Sequence, residues 1–171
     1  MEEKVRGFLK DRFGQAILAE ENFRDQLSFQ VTPGSIVDIC QAFLADSELD
    51  VKYLSDITCV DWYDHEQEEA GRFELVYNLY SLSRCFRFFL KARLVDTDPK
   101  IATLCDLWPS ANWLEREVFD LFGITFEGHP DLTKILTSDD LEGHPLRRDF
   151  PLTYEQPAFS WNKDDSPKVI K

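Results

Sequence analysis

Residues 113–150 read WLEREVFDLFGITFEGHPDLTKILTSDDLEGHPLRRDF, and this stretch decides how the rest of the chain divides. It opens with helical spacing: Leu114, Val118, Leu121 and Phe122 fall on one face, and Gly123 suits the left-handed position that closes a helix. Beyond Gly123 neither the helical nor the strand period continues. Instead Gly-His-Pro occurs twice, at residues 128–130 and 143–145, each time followed closely by charge. Aperiodic segments of this length are uncommon inside compact domains and are usually functional or held by a partner. The sequence therefore predicts a folded domain over residues 1–122 and an extended, partner-binding segment over residues 123–171.

Working back toward the N-terminus, Val5, Phe8, Leu9 and Phe13 share one helical face, with Gly14 placed to end that helix. Leu27, Phe29 and Val31 alternate with polar residues as in a strand. Thr32 and Pro33 suit the cap and first position of a second helix reaching about Ala45, whose apolar stripe is Ile36, Ile39, Cys40, Phe43 and Leu44. Tyr53 to Trp62 reads as a strand, and the acidic run Asp61 to Glu69 as a solvated loop. The cleanest alternation follows. Phe73, Leu75, Tyr77 and Leu79 oppose Arg72, Glu74 and Asn78, and Phe86, Phe88, Leu90, Ala92 and Leu94 oppose Arg87, Lys91 and Arg93, with a hairpin near Ser81–Ser83. The order of elements predicts an α+β, two-layer domain: a mixed sheet with helices on one face, then a short helix and a long extended C-terminal segment.

Composition narrows the function. With 43% hydrophobic residues in 171, the chain suits one domain with a genuine core. A net charge of −13, spread over both halves, argues against a duplex nucleic acid partner, which demands a concentrated basic face. Cys40, Cys59, Cys85 and Cys105 form no CxxC pair and stand near no histidine pair, so neither an iron–sulfur cluster nor a metal is expected in this chain. The first residues lack the apolar run of a signal peptide, and no stretch approaches the roughly 20 apolar residues of a membrane span. The expectation is a protein that stays on the side of the membrane where it is made.

The charged residues of the decisive stretch are weighed individually. Asn112 followed by Glu115 fits a capping box, and Arg116 and Asp120 stand four apart and can pair, for about 0.2–0.5 kcal/mol on an exposed helix. Glu117 and Asp120 carry like charge on adjacent turns and invite a cation from a neighbouring protein of an assembly. His129-Pro130 and His144-Pro145 fix extended turns, because proline biases the preceding backbone away from helix. Arg147 and Arg148, with Asp149, offer forked donors for carboxylates across an interface; a solvated charge cluster is the bland alternative. Tyr154, Phe159 and Trp161 are too sparse for a core and could dock on another protein.

The run Glu115-Arg116-Glu117, Asp120, His129-Pro130-Asp131-Leu132, Ile135-Leu136, Asp139-Asp140 and Gly143-His144-Pro145-Leu146-Arg147-Arg148-Asp149 closely resembles one family signature. The family is the 30-kilodalton subunit of proton-pumping NADH:quinone oxidoreductase, respiratory complex I. Thr133, Leu141 and Phe150 depart from its usual basic, Trp and Tyr residues. The resemblance implies a non-catalytic structural subunit of the peripheral arm, on the cytoplasmic face of the inner membrane. It implies that Glu115, Arg116, Glu117, Asp120, His129, Pro130, Asp131, His144, Pro145, Arg147, Arg148 and Asp149 are motif and interface residues. Flavin, iron–sulfur clusters and quinone would then belong to partner proteins of the complex, with the large peripheral-arm subunit as nearest neighbour. Two rivals stand beside it: a free-standing hydrolase using Glu115, Glu117 or Asp120 as acid and base, assisted by His129 or His144, and an acidic adaptor docking by its aromatic tail.

Overall fold

The computed structural model describes residues 1–151. Its elements in chain order are α1 (Glu2–Phe13), β1 (Ile17–Phe23), β2 (Gln26–Val31), α2 (Ile36–Ala45), β3 (Tyr53–Asp61), β4 (Phe73–Ser81), β5 (Phe86–Leu94), β6 (Lys100–Ala102), α3 (Ala111–Phe122) and β7 (Thr125–Glu127). Five strands form a mixed sheet in the order β1-β2-β5-β4-β3, in which only the β2–β5 pairing is parallel. The alternation in β4 and β5 sets the register: Phe73 faces Leu94, Leu75 faces Ala92, Tyr77 faces Leu90 and Leu79 faces Phe88. One face of the sheet is therefore continuously apolar, and the helices cover it. Phe43 of α2 links the layers, its ring 4.8 Å from Phe8 of α1 and 4.9 Å from Phe88 of β5. The α+β two-layer expectation holds.

Differences from the sequence reading have local causes. β1 has no buried alternation because it is an edge strand exposed along almost its whole length, so periodicity does not reveal it. Its hairpin turn, Arg24-Asp25, has positive φ at both residues, as such two-residue turns require. After Thr32-Pro33 the chain makes one 3-10 turn over Pro33–Ser35 before α2 begins at Ile36. Arg93 lies over the Trp62 ring at 4.6 Å and pairs with Glu74, while Lys91 reaches Glu21.

The larger difference lies at the expected boundary. β7 pairs in parallel with β6, and Ile124 and Phe126 join the same apolar core as the helices. The packed part thus runs beyond residue 122. The aromatic positions expected to dock on a partner, Tyr154, Phe159 and Trp161, lie outside the described residues.

Candidate functional site

The motif residues gather around α3. This helix starts at Ala111 with Ser110 as its N-cap, and no side chain caps it. It ends at Gly123, whose φ of 74° and ψ of 29° are the left-handed values expected there. A Cβ at Gly123 would sit 2.3 Å from His144 Nε2, so glycine also lets the returning chain approach closely. The Asn112–Glu115 capping box does not form, because Glu115 points into the protein.

Asp120 holds the first loop. Fully buried, its Oδ2 accepts from the backbone amides of Ile135, Leu136 and Thr137 at 3.0, 2.7 and 2.9 Å, and its Oδ1 accepts from the Thr137 hydroxyl. Burial alone would raise its pKa, but these four donors outweigh it and hold the carboxyl below the usual Asp value. The expected Arg116–Asp120 pair is absent for this reason. Arg116 instead donates to the carbonyl and hydroxyl of Thr133 at 3.0 and 2.8 Å and covers the Trp113 ring at 5.0 Å. Nor does Asp120 await a cation from outside, since backbone dipoles already satisfy it.

The second Gly-His-Pro run is a strap. His144 Nδ1 donates to the Asp120 carbonyl at 2.9 Å, Leu146 N to the Leu121 carbonyl at 3.1 Å, and Arg147 Nε to the Phe122 carbonyl at 2.6 Å. These are carbonyls of the last turn of α3, which no intrahelical donor satisfies, and the Arg147 guanidinium suits the negative end of the helix dipole. Arg147 also lies 5.0 Å above the Phe73 ring. Its guanidinium therefore has an internal role, a correction to the interface reading of the sequence.

The strap ends on a buried ion cluster that no local pattern announced. Arg72 Nε and Nη2 donate to both oxygens of Asp61 at 2.9 and 3.0 Å, Nη1 to Asp96 at 3.0 Å, and Nη2 also to Asp149 at 2.6 Å. The guanidinium is sandwiched near Tyr63 and Phe73, at 4.6 and 4.9 Å. Asp61 accepts as well from the amides of Arg148 and Tyr63. Burial works to raise the Asp61 pKa, but Arg72 and the two amides bring it below the ordinary value, and the carboxylates raise that of Arg72 in return. Asp61 is thus no part of a solvated acidic loop, and Asp149 binds within its own chain. The Arg148 side chain, Glu117 and Asp131 remain exposed.

Glu115 makes a third junction. Wholly buried, it accepts from Leu104 N at 2.7 Å, from the Thr103 hydroxyl at 2.5 Å and from the Cys105 thiol at 3.6 Å. Burial raises its pKa, only partly offset by those donors. His129 sits nearby. Its Nε2 donates to the Asn112 carbonyl at 3.2 Å and its Nδ1 accepts from the Asp131 amide at 3.0 Å. Thr103 and Cys105 were invisible as site residues, because neither belongs to a recognisable spacing.

A two-layer α+β domain whose motif residues fasten its own C-terminal strap across the end of one helix is the structural class defined here. The chain belongs to the family described as respiratory-chain NADH dehydrogenase, 30 Kd subunit, whose model matches residues 29–156. It is 44% identical over 149 residues to the corresponding NADH-quinone oxidoreductase subunit of Roseiflexus castenholzii, covering 87% of this chain and 83% of that one. With the corresponding subunit of Geobacter sulfurreducens it shares 46% identity over 144 residues, 84% of this chain and 86% of the relative. Among solved structures, a trypsin-resistant fragment of Nqo5 superposes with a TM-score of 0.66 at 32% identity, covering 75% of this chain and 99% of the fragment. A chain of an archaeal membrane-bound sulfane sulfur reductase, a respiratory membrane complex, gives a TM-score of 0.72 at 29% identity over 88% of this chain and 85% of that one.

Proposed function

We propose that the chain is a non-catalytic structural subunit in the peripheral arm of an NADH:quinone oxidoreductase, placing its neighbours for electron transfer to quinone coupled to proton movement. The observation that carries this reading is that Asp120, His144 and Arg147 fasten the strap to the last turn of α3. Of the carboxylates a hydrolase would need, Glu115 and Asp120 are fully buried and already engaged by hydrogen bonds. What remains outside suits a partner. Trp113, Leu136 and Leu146 are 62%, 62% and 52% exposed and are all anchored at α3, alongside exposed Glu117 and Arg148.

The nearest partner in this reading is the large subunit of the same arm, with flavin, clusters and quinone held by other members of the complex. No helix among the described residues is long and apolar enough to cross a membrane, so attachment to the cytoplasmic face would come through the complex. Affinity purification of the tagged full chain from its native membranes tests the proposal. It should bring down the other oxidoreductase subunits in equimolar amounts together with NADH:quinone activity; recovery of the chain alone, without that activity, would overturn it.

A further inference from the structure

We propose that Cys105, Glu115 and His129 form a binding site for one divalent cation of the zinc class. Their ligand atoms all lie within 4.8 Å of one another. They come from three separate pieces of chain: the loop ahead of α3, α3 itself, and the turn after β7. Thiolate sulfur, carboxylate oxygen and imidazole nitrogen are the donors zinc takes, with bonds of about 2.0–2.3 Å that place tetrahedral neighbours roughly 3.3–3.8 Å apart. Small side-chain rotations bring these three to that spacing, and water or the Thr103 hydroxyl can complete the set.

Charge points the same way. Glu115 is wholly buried, its hydrogen bonds come only from neutral groups, and no ion pair reaches it among the described residues. A dication bound by one thiolate, one carboxylate and one neutral imidazole is an electrically neutral assembly, which removes the burial penalty on Glu115. Binding displaces the thiol proton of Cys105 to solvent. The surroundings are already ordered for this. Leu104 N fixes one Glu115 oxygen, and His129 is held by backbone groups at both ring nitrogens, the Asn112 carbonyl and the Asp131 amide. Asp131 is exposed, so water can satisfy its amide if Nδ1 turns to the metal. Cys105 and His129 are partly exposed, which leaves a path for the ion. Bound metal would pin the loop and the turn to α3. Such a site would run against the expectation, drawn from sequence spacing, that the chain holds no metal.

Cobalt(II) titration of the chelator-treated full chain is the test, followed by displacement with zinc. One equivalent should produce thiolate-to-cobalt charge-transfer absorption, and zinc should abolish it and raise the thermal unfolding midpoint. Cys105→Ser should eliminate the absorption while leaving the metal-free melting curve cooperative, and His129→Ala should weaken binding by more than about 10-fold. Absence of the charge-transfer band in the wild-type chain would overturn the proposal. So would a band that survives Cys105→Ser, because another thiolate such as that of the exposed Cys85 would then be the ligand, or equal affinity in His129→Ala, because the imidazole would then hold no metal.

Discussion

Replacing Asp120 by alanine removes the acceptor of three backbone amides and one hydroxyl in a single step. A hydrogen bond to a charged group contributes about 1.5–3 kcal/mol, and a buried donor left without a partner costs about 1–3 kcal/mol. The four losses do not add in full. Leu136 is 62% exposed, so the 135–137 turn can swing toward water and rehydrate part of its backbone. Counting one donor as orphaned and the others as rehydrated gives a predicted loss of about 2–4 kcal/mol. At a urea dependence near 2 kcal/mol per molar, the unfolding midpoint should fall by about 1–2 M. Asp120→Asn retains the shape and one acceptor oxygen, and should lose only about 1 kcal/mol. Urea unfolding followed by tryptophan fluorescence measures the midpoint, and limited trypsin digestion at Lys134 reports on the loop alone. The alanine variant should be cut faster at Lys134 under conditions where the domain stays folded. A stability within about 0.5 kcal/mol of wild type, with unchanged cleavage, would refute the assignment of Asp120 as the anchor of this loop.

Arg72→Leu leaves Asp61 buried without its cation and should cost about 3–5 kcal/mol in urea unfolding, whereas loss of the half-exposed Asp149 should cost no more than about 1 kcal/mol. The neighbouring arginines should behave differently: Arg147→Glu lowers the melting temperature of the isolated chain, since it places a carboxylate against the Phe122 carbonyl, while Arg148→Glu leaves melting unchanged and weakens co-purification with the complex. Acid stability should follow the two depressed aspartates, Asp61 and Asp120. The unfolded chain takes up these protons more readily, so their stabilisation is complete above about pH 3.9 and is lost as pH falls through the lower folded values. Glu115 acts in the opposite sense, its raised folded pKa favouring the fold below about pH 4.3 and losing that contribution as pH rises through the folded value. Asp120→Asn should therefore flatten the acid limb of a stability–pH profile.

The elements read directly from sequence are those with one buried face. β4, β5 and α2 alternate cleanly because every second or every third to fourth side chain meets the core, as Tyr77, Leu90 and Phe43 do. β1 escaped detection because an edge strand has no such face, and β6 and β7 because three residues are too few to establish a period. In the site, Gly123 was legible because its left-handed backbone is a local property. Arg72, Asp61 and Asp149 were not: they are joined across 11 and 77 residues of sequence, and each alone looks like an ordinary polar position. The same separation hid the internal use of Arg147. Charge without periodicity signals contact, but it does not distinguish contact with another protein from contact with the chain itself.

The central claim is that the chain contributes position and not chemistry. The most direct test is turnover per assembled complex in a strain whose only copy carries Glu117→Gln together with Asp120→Asn, which removes two carboxylate charges of α3 while keeping their shapes. NADH:quinone activity is divided by the amount of intact complex, measured from its flavin content. The account predicts less complex, in proportion to the lost stability of the chain, with the rate of each assembled complex unchanged. An acid or base in the reaction contributes about 100- to 10,000-fold. Full assembly with turnover reduced on that scale would contradict the account and place a carboxylate of this helix in the reaction itself.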